Sequence, residues 1–349
     1  MNLLTIYNEV NKILNALDFN ALYSGFHKYK FAIYNSKEIC LDGTVIPYEE
    51  GFMGNTSKLY NDEYIAIWNI ELDPISDMDM LAYDLVHEMF HCHQNTNHES
   101  RFPSDLSLLN YPNDIGNYSK KHSENVYLAN AYERCDVEQF KKFVMLRNQR
   151  LDTYPDMVRH ELKAETIEGL AEFVGLKALN IINREKFASQ VQSYIDELNA
   201  ESTLLFDIRR ISYFTGAIFF LCLDALGYGI KNDFNSSITV YEQNPISTDG
   251  ITVDVSTYDF IVQKYSELVE EKEAIVAEHI AHSQYVECDA FICGYDPMNM
   301  FRIGSLIYCS HFVFLNENGQ INHINGAIVL ELADNSDYAV KGYYKLSNA

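Results

Sequence analysis

The chain has 349 residues, of which 47% are hydrophobic and 22% are charged, as in an ordinary folded globular protein. Its 26 basic and 50 acidic residues give a formal net charge of −24. Because so acidic a surface repels phosphate groups, we expect neither nucleic acids nor anionic membrane surfaces among its partners. The length favours one large core, or one core with an appended region, over a string of small modules.

The first 26 residues predict an amphipathic helix and not a secretory signal, because they lack a basic start and polar residues such as Asn8 and Glu9 interrupt the apolar ones. The longest apolar window, Tyr213 to Leu226, is too short to cross a bilayer. Seven widely spaced cysteines without a CxxC pair indicate reduced thiols. We therefore expect a cytoplasmic protein.

Strands are predicted after this helix, with glycine and asparagine turns between them, at 30–34, 38–41 and 64–72. From Ser76 the hydrophobic period becomes helical. Ser76 with Asp79 resembles a capping box, and Asp77 and Asp79 suit the positive end of a helix. That helix is expected to run to about Gln94.

A polar segment from Asn95 to Glu124 predicts a long loop. Helices are expected to follow at 125–148, 156–181, 184–199 and 203–226. Residues 230–256 predict an irregular stretch with some strand, and 257–282 another helix. The tail, 285–346, alternates as strands do, and Asn318-Gly319 within it is a hairpin signal. The sequence thus predicts an α+β protein, mainly α, with a helical body and a β-rich C-terminal region.

One motif in the sequence carries recognisable chemistry: residues 87–91 read HEMFH and fit the pattern HExxH. On a helix, His87 and His91 lie one turn apart, so both imidazoles can bind one ion at about 2.0–2.1 Å. Glu88 lies about 100° around the helix axis, where it can accept a proton from a water that zinc activates. The motif predicts a zinc site with Glu88 as general base; two unrelated helix histidines are the structural alternative.

Catalytic zinc usually has three protein ligands and one open position, so a third ligand is required. The best candidates lie on a later predicted helix, where four acidic residues share one face: Glu161, Glu165, Glu168 and Glu172. A solvated acidic stripe is the commoner meaning of such spacing. Gly169 and Ala171, however, are small enough to let this helix pack closely against another, as a ligand-bearing helix must.

HExxH at 87–91, followed on a later helix by Glu168-Gly169-x-Ala171, resembles the gluzincin metallopeptidases, the thermolysin-like and aminopeptidase-like group. The resemblance covers about residues 60–230. It implies that Glu168 is the third zinc ligand and that Glu172, four positions later, orients one of the histidines. The family more often has Asp at the position of Glu172. A peptide or protein substrate is implied, and for an aminopeptidase Glu161 and Glu165 are candidates for binding the free amine.

The resemblance also implies a zincin-like domain over residues 1–230, with an N-terminal helix and sheet in 1–75 and the two ligand helices in 76–230. Residues 231–349 are expected to form a helix and the β-rich region. The sequence leaves the oligomeric state open.

Gluzincins often use a tyrosine, and sometimes a histidine or arginine, to stabilise the oxyanion of the tetrahedral intermediate. Tyr213, at a Tyr-x-x-Gly helix start, is the expected residue, and His160 is its rival. Asp84, three residues before His87, is a further candidate for orienting a ligand.

Two other interpretations use the same residues. Two histidines and a carboxylate also form the iron site of non-haem oxygenases, although Glu88 has no role there. A non-catalytic binding protein on a peptidase-like scaffold is the third alternative, with the β-rich region as its binding surface. A metzincin site is excluded, because Gln94 and Asn97 stand where that motif needs glycine and a third histidine.

Overall fold

The computed structural model describes residues 2–75, 77–112 and 114–346. It is an α+β fold in which helices predominate, as the sequence predicts.

The N-terminal elements are α1 (Leu3–Asn15), α2 (Phe19–Leu22), β1 (Phe31–Tyr34), β2 (Glu38–Leu41), β3 (Thr44–Pro47), β4 (Thr56–Tyr60) and β5 (Glu63–Asn69). The helical body comprises α3 (Met78–Thr96), α4 (Asp105–Leu108), α5 (Ile115–Arg134), α6 (Val137–Thr153), α7 (Pro155–Ala164), α8 (Leu170–Ile182), α9 (Arg184–Asn199), α10 (Ile208–Ala225), α11 (Val240–Gln243) and α12 (Asp259–Ala281). The C-terminal strands are β6 (Ser283–Tyr295), β7 (Met300–Ile303), β8 (Leu306–Cys309), β9 (Phe312–Glu317), β10 (Gln320–Asn325), β11 (Ile328–Leu332) and β12 (Ala339–Leu346).

The N-terminal strands form a five-stranded sheet in the order β3-β2-β1-β5-β4. Only β1 and β5 are parallel to each other, and all four residues of β1 are buried, as a central strand covered on both faces requires. One face of the sheet packs on α1 and α3, where the rings of Tyr7 and Phe31 stack at 4.3 Å. The edge strand β4 lies beside α3, and Asn95 donates a hydrogen bond to Ser57 at 2.7 Å.

Helix α3 lies at the centre of the protein, between the N-terminal sheet and α8. Its N-cap is Asp77, whose carboxylate accepts hydrogen bonds from the amides of Asp79 and Met80 at 2.8 and 3.2 Å. Ser76, the cap expected from the sequence, lies outside the described residues. Close contact with α8 is possible because Gly175 has no side chain: a Cβ there would lie 3.1 Å from the ring of Tyr83.

The long loop expected over 95–124 is wrong, because α5 begins at Ile115 and the short helix α4 precedes it. Helix α5 was missed because its buried face is largely polar, and the apolar period that signals a helix is weak. The single helix expected at 125–148 is also wrong. Cys135 adopts a left-handed conformation (φ 48°) that ends α5, and Asp136 then caps α6.

Smaller differences concern breaks inside the expected elements. The helix expected over 1–26 ends at Asn15 and resumes as α2, and strands β3 and β4 were not expected. No strand occurs within 230–256 in the part of the chain that the structure describes; α11 lies there and packs Val240 and Tyr241 into the core of the helical body. A five-residue π-helix, Glu165–Gly169, joins α7 to α8, and a short 3₁₀ turn, Thr203–Phe206, precedes α10.

The C-terminal strands form a seven-stranded antiparallel sheet in the order β10-β9-β6-β12-β11-β8-β7. The expected hairpin is confirmed: Asn318 and Gly319 both have positive φ, at 52° and 87°, and join β9 to β10. Leu106 of α4 packs into the core of this sheet, which connects it to the helical body. Among the described residues, no helix combines the length and the apolar character that crossing a membrane requires.

Candidate metal centre

Three ligand atoms from two separate segments meet at one point between α3 and the π-helix. The Nε2 atoms of His87 and His91 lie 3.0 Å apart, and Oε2 of Glu168 lies 3.1 Å from His91 and 3.5 Å from His87. Donors about 2.05 Å from a tetrahedral ion are separated by about 3.3 Å, so this spacing suits one small cation. These three residues form the one cluster of three histidine, cysteine or acidic residues close enough to share an ion within the described chain.

Hydrogen bonds on the outer side of each ring fix which nitrogen faces the centre. Nδ1 of His87 donates to Glu172 at 2.9 Å, and Nδ1 of His91 donates to Oε1 of Gln94 at 2.7 Å. The Gln94 amide is oriented by its own donor, which binds the carbonyl of Ile167 at 2.9 Å. Because each neutral imidazole has its proton on Nδ1, its Nε2 presents a lone pair. Two such lone pairs and a carboxylate oxygen repel one another unless a cation lies between them, so the donor set fits a metal ion.

The charges around this point also favour a cation. Burial lowers the pKa of His91, but the charge of Glu168 outweighs burial and raises it to about 9, so in the metal-free protein a proton holds the place that a metal ion would take. Burial alone would raise the pKa of Glu168, yet the charges of His91 and Arg209 hold it well below its ordinary value. Glu168 is therefore an anion at neutral pH, as a metal ligand must be.

The π-helix decides which of the four aligned glutamates reach the centre. A π-turn has more residues per turn than an α-helix, so it rotates the residues before it away from those after it. Glu168 and Glu172 consequently face α3, whereas Glu161 and Glu165 point into the protein between α5, α6 and α10. The expectation that all four share one face assumed an unbroken α-helix and is wrong.

Glu161 and Glu165 are not available to bind a substrate amine, contrary to the suggestion from the sequence. They are 0% and 2% exposed. Glu161 accepts hydrogen bonds from Lys121 at 2.5 Å and from Arg150 at 2.5 Å. Glu165 accepts two from Arg147, at 2.5 and 2.8 Å, and one from Thr215. All four carboxylate oxygens are thus engaged in the core.

Helix α10 reaches the centre because two glycines allow it to touch the π-helix. A Cβ on Gly169 would lie 2.5 Å from Cα of Gly216, so neither position admits a side chain without displacement. The small residues near Glu168 therefore permit close packing, as expected, but their partner is α10. This contact brings Arg209 to Glu168, where its Nη2 donates to Oε1 at 2.6 Å. Nη1 of the same arginine donates to Asp105 at 2.9 Å.

Tyr213, one turn after Arg209 on α10, lies at the centre as well. Its ring is parallel to that of His87, with centroids 6.0 Å apart and planes 4° apart. Burial raises the pKa of Tyr213 well above its ordinary value, and the charge of Glu168 raises it further. The phenol therefore stays protonated and can donate a hydrogen bond.

Glu88 is buried next to the two histidines, and its Oε2 has no hydrogen-bond partner among the described residues. Burial raises the pKa of this carboxyl group, while the charges of His91 and His87 lower it. Buried polar atoms in native proteins rarely lack a partner, and the exceptions call for an explanation. A carboxylate that exchanges protons with a reactant during turnover supplies such an explanation.

Two candidates from the sequence lie elsewhere. Nδ1 of His160 accepts a hydrogen bond from the amide of Ser104 at 3.1 Å, which ties α7 to the segment before α4. Asp84 does not orient His87, since Glu172 occupies that role in the structure. Burial raises the pKa of Asp84 to about 8.

Three residues of the centre were missed by the sequence analysis as contributors: Gln94, Tyr194 and Arg209. Gln94 follows His91 by three residues and so shares its helix face, a signal that was available. Tyr194 of α9 donates to Glu172 and also contacts Tyr83 at 2.9 Å, so it holds the carboxylate that holds His87. No sequence pattern indicated it, because α9 reaches the centre only through tertiary packing.

Comparison of the chain with models of protein families, with curated proteins and with solved structures finds no match. The case for the centre therefore rests on its geometry and chemistry.

Proposed function

We propose that the protein is a zinc-dependent hydrolase, and specifically a gluzincin-like metallopeptidase that acts on peptides or proteins. The observation that carries the proposal is the convergence of Nε2 of His87, Nε2 of His91 and Oε2 of Glu168, with the unpartnered carboxylate of Glu88 beside them. Two imidazoles and one carboxylate are a common ligand set of hydrolytic zinc.

Zinc bound to these residues would lower the pKa of a coordinated water and polarise the scissile carbonyl. Glu88 would accept the proton of the attacking water at Oε2 and pass it to the leaving amine. Tyr213 would donate a hydrogen bond from its hydroxyl to the developing oxyanion. Glu172 and Gln94 keep the two imidazoles oriented by accepting their Nδ1 protons.

The proposal is tested first by metal content and then by one substitution. Purified protein should contain about one zinc per chain, and a peptide library should be cleaved without chelator but not with it. Glu88→Gln should retain the zinc and lose about 10²–10⁴-fold in turnover, because only the proton acceptor is removed. Bound iron in place of zinc would favour the oxygenase alternative.

A matched control is Glu138→Gln, the same exchange at an exposed position of α6 that takes no part in the metal centre, which should leave turnover unchanged. Unchanged turnover in Glu88→Gln with zinc bound would remove Glu88 from the mechanism. A cytoplasmic location is also part of the proposal, and it is supported by seven cysteines that are all free.

A further inference from the structure

A second candidate site lies between the helical body and the C-terminal sheet. It is a cavity of about 710 Å³, bounded by α4, the start of α10, α12, β7 and β8. Cavities of this size at the junction of two structural units are where small molecules commonly bind. His87, His91 and Glu168 do not line this cavity, but Arg209 does, so the cavity adjoins the metal centre without including the three ligand residues.

Basic residues make up a larger share of the charged residues in the cavity wall than in the whole chain. Four cationic side chains line it against three acidic ones, Asp105, Asp207 and Glu273, although acidic residues outnumber basic ones by 50 to 26 overall. The four cations are Arg209, Arg210, Lys272 and Arg302.

The arginines in the wall are already engaged, and Lys272 is not. Arg302 pairs with Asp337 at 2.6 Å, and Arg209 binds Asp105 and Glu168. Lys272 is half-buried and, within the described parts of the chain, has no hydrogen-bond or ion-pair partner; its Nζ lies 5.4 Å from the ring centroid of Phe301. Burial lowers the pKa of Lys272 more than the nearby charges of Asp207 and Glu271 raise it, so an anion in direct contact with the ammonium group would stabilise its charged form.

Aromatic rings form much of the remaining wall. Phe206 contacts Tyr118 and Tyr265 edge-on, with centroids 4.9 and 5.4 Å apart. Phe301 and Tyr308 stack at 5.1 Å on the side formed by the sheet. Where these five side chains line the cavity, they can make stacked or edge-on contact with the flat ring of a ligand.

We propose that this cavity binds a small organic anion that carries a flat ring, with its anionic group on Lys272 and its ring among the aromatic side chains. Arg209 lines the cavity and also binds Glu168, so the occupied cavity and the metal centre share one side chain. The proposal does not depend on the proposed hydrolase function, because it concerns binding by the metal-free protein.

The test uses two probes that differ in charge alone. Naphthalene-2-carboxylate and the neutral naphthalene-2-carboxamide are titrated calorimetrically into the metal-free, full-length protein. We expect one carboxylate to bind per chain, at least about tenfold more tightly than the carboxamide. Equal affinities for the two probes, or no binding of either, would overturn the proposal.

Lys272→Met keeps the length of the side chain and removes its charge, and it should weaken carboxylate binding about tenfold. The matched control is Lys264→Met on the same helix, which is exposed, pairs with Glu267 and does not line the cavity. It should bind the carboxylate as the unmodified protein does. A Lys272→Met protein with the unmodified thermal midpoint and unweakened binding would contradict the assignment of Lys272.

Discussion

Two buried groups of charged residues lie on opposite sides of the helical segment formed by α7, the π-helix and α8. They differ in how their charges are balanced. On one side, the carboxylates of Glu124, Glu161 and Glu165 are matched by three cations, Lys121, Arg147 and Arg150, all at most 2% exposed. On the other side lie three more carboxylates, those of Glu88, Glu168 and Glu172, and among the described residues only Glu168 is paired with a guanidinium, that of Arg209. We call the first the balanced cluster and the second the metal centre.

The comparison shows that burial of acidic residues has two different meanings in this protein. The balanced cluster satisfies its own charges and so acts as part of the core that fixes α5, α6 and the π-helix. Buried charge is costly unless it is paired. At the candidate metal centre, burial raises the pKa of Glu172 to about 7, and the charge of Glu168, against the effect of burial, raises that of His91 to about 9. Its carboxylates are therefore compensated by protons in the metal-free protein, and a bound metal ion would replace protons there.

The largest expected effect comes from breaking the balanced cluster. Arg147→Met leaves Glu165 without its arginine partner and Glu124 with Arg150 alone, and removing one member of a buried ion pair costs about 3–5 kcal/mol. Urea unfolding of the metal-free protein should show this loss in the free energy of unfolding. The exposed Arg159→Met, which loses only a 3.4 Å contact to Glu242, should change it by less than about 0.5 kcal/mol. Equal stability of the two variants would show that the cluster does not hold the core.

The next effect should come from separating the π-helix, which carries Glu168, from α10, which carries Arg209 and Tyr213. Gly169→Ala introduces a Cβ that would lie 2.5 Å from Gly216, so α10 must shift and take Arg209 and Tyr213 with it. Overpacking of this kind typically costs about 1–3 kcal/mol. Both the free energy of unfolding and zinc affinity should fall, measured by urea titration and by competition with a chromogenic chelator. Gly227→Ala, at a turn with φ 74°, serves as a control that should reduce stability without changing zinc affinity. Unchanged zinc affinity in Gly169→Ala would mean that α10 does not position the centre.

A narrower change tests the metal centre alone. Gln94→Leu removes the acceptor for Nδ1 of His91 while keeping a buried side chain of similar size. Loss of such an outer partner typically weakens metal binding about 10–100-fold. Asn95→Leu, the adjacent residue, removes a hydrogen bond to Ser57 and should leave zinc affinity unchanged. The role of Gln94 is rejected if the two variants bind zinc equally well.

The smallest effect concerns pH and the balanced cluster. Burial alone would raise the pKa of Glu161, but the charges of Arg150 and Lys121 outweigh it and hold the pKa well below its ordinary 4.5. A carboxyl group with a lowered pKa in the folded state stabilises the fold above its unfolded value, and that contribution is lost as the pH falls. The free energy of unfolding of the metal-free protein should therefore decline as the pH drops below about 4.5.

Glu161→Gln should be less stable at neutral pH but should show a shallower decline in acid, because the titrating group is gone. Glu138→Gln, an exposed change next to Lys142, should decline as the unmodified chain does. An equally steep decline in Glu161→Gln would assign the acid sensitivity to other residues.

These two groups also explain what the sequence could and could not predict. The bounds of α3 were predicted within about two residues, because its apolar period and acidic start are local signals. Asn318-Gly319 likewise fixed its hairpin by local backbone preference. By contrast, the first half of α5, up to Glu124, was predicted as a loop because its buried face is polar, and pairing partners on other helices decide whether a polar face is buried. The π-helix could not be inferred either, since the spacing of the four glutamates fits a regular α-helix equally well.

The hydrogen bond from Arg209 to Glu168 has a consequence for which ion the centre accepts. With Oε1 accepting a hydrogen bond from the guanidinium and Oε2 directed at the two histidines, Glu168 is oriented as a monodentate ligand. Calcium seeks six to eight oxygen donors and magnesium a nearly ideal octahedron of them, so both find a single carboxylate oxygen and two nitrogens inadequate. Borderline-soft ions with low coordination numbers are satisfied by this set. In the proposed metal site, this one arginine would therefore favour such ions by limiting the denticity of the only acidic ligand.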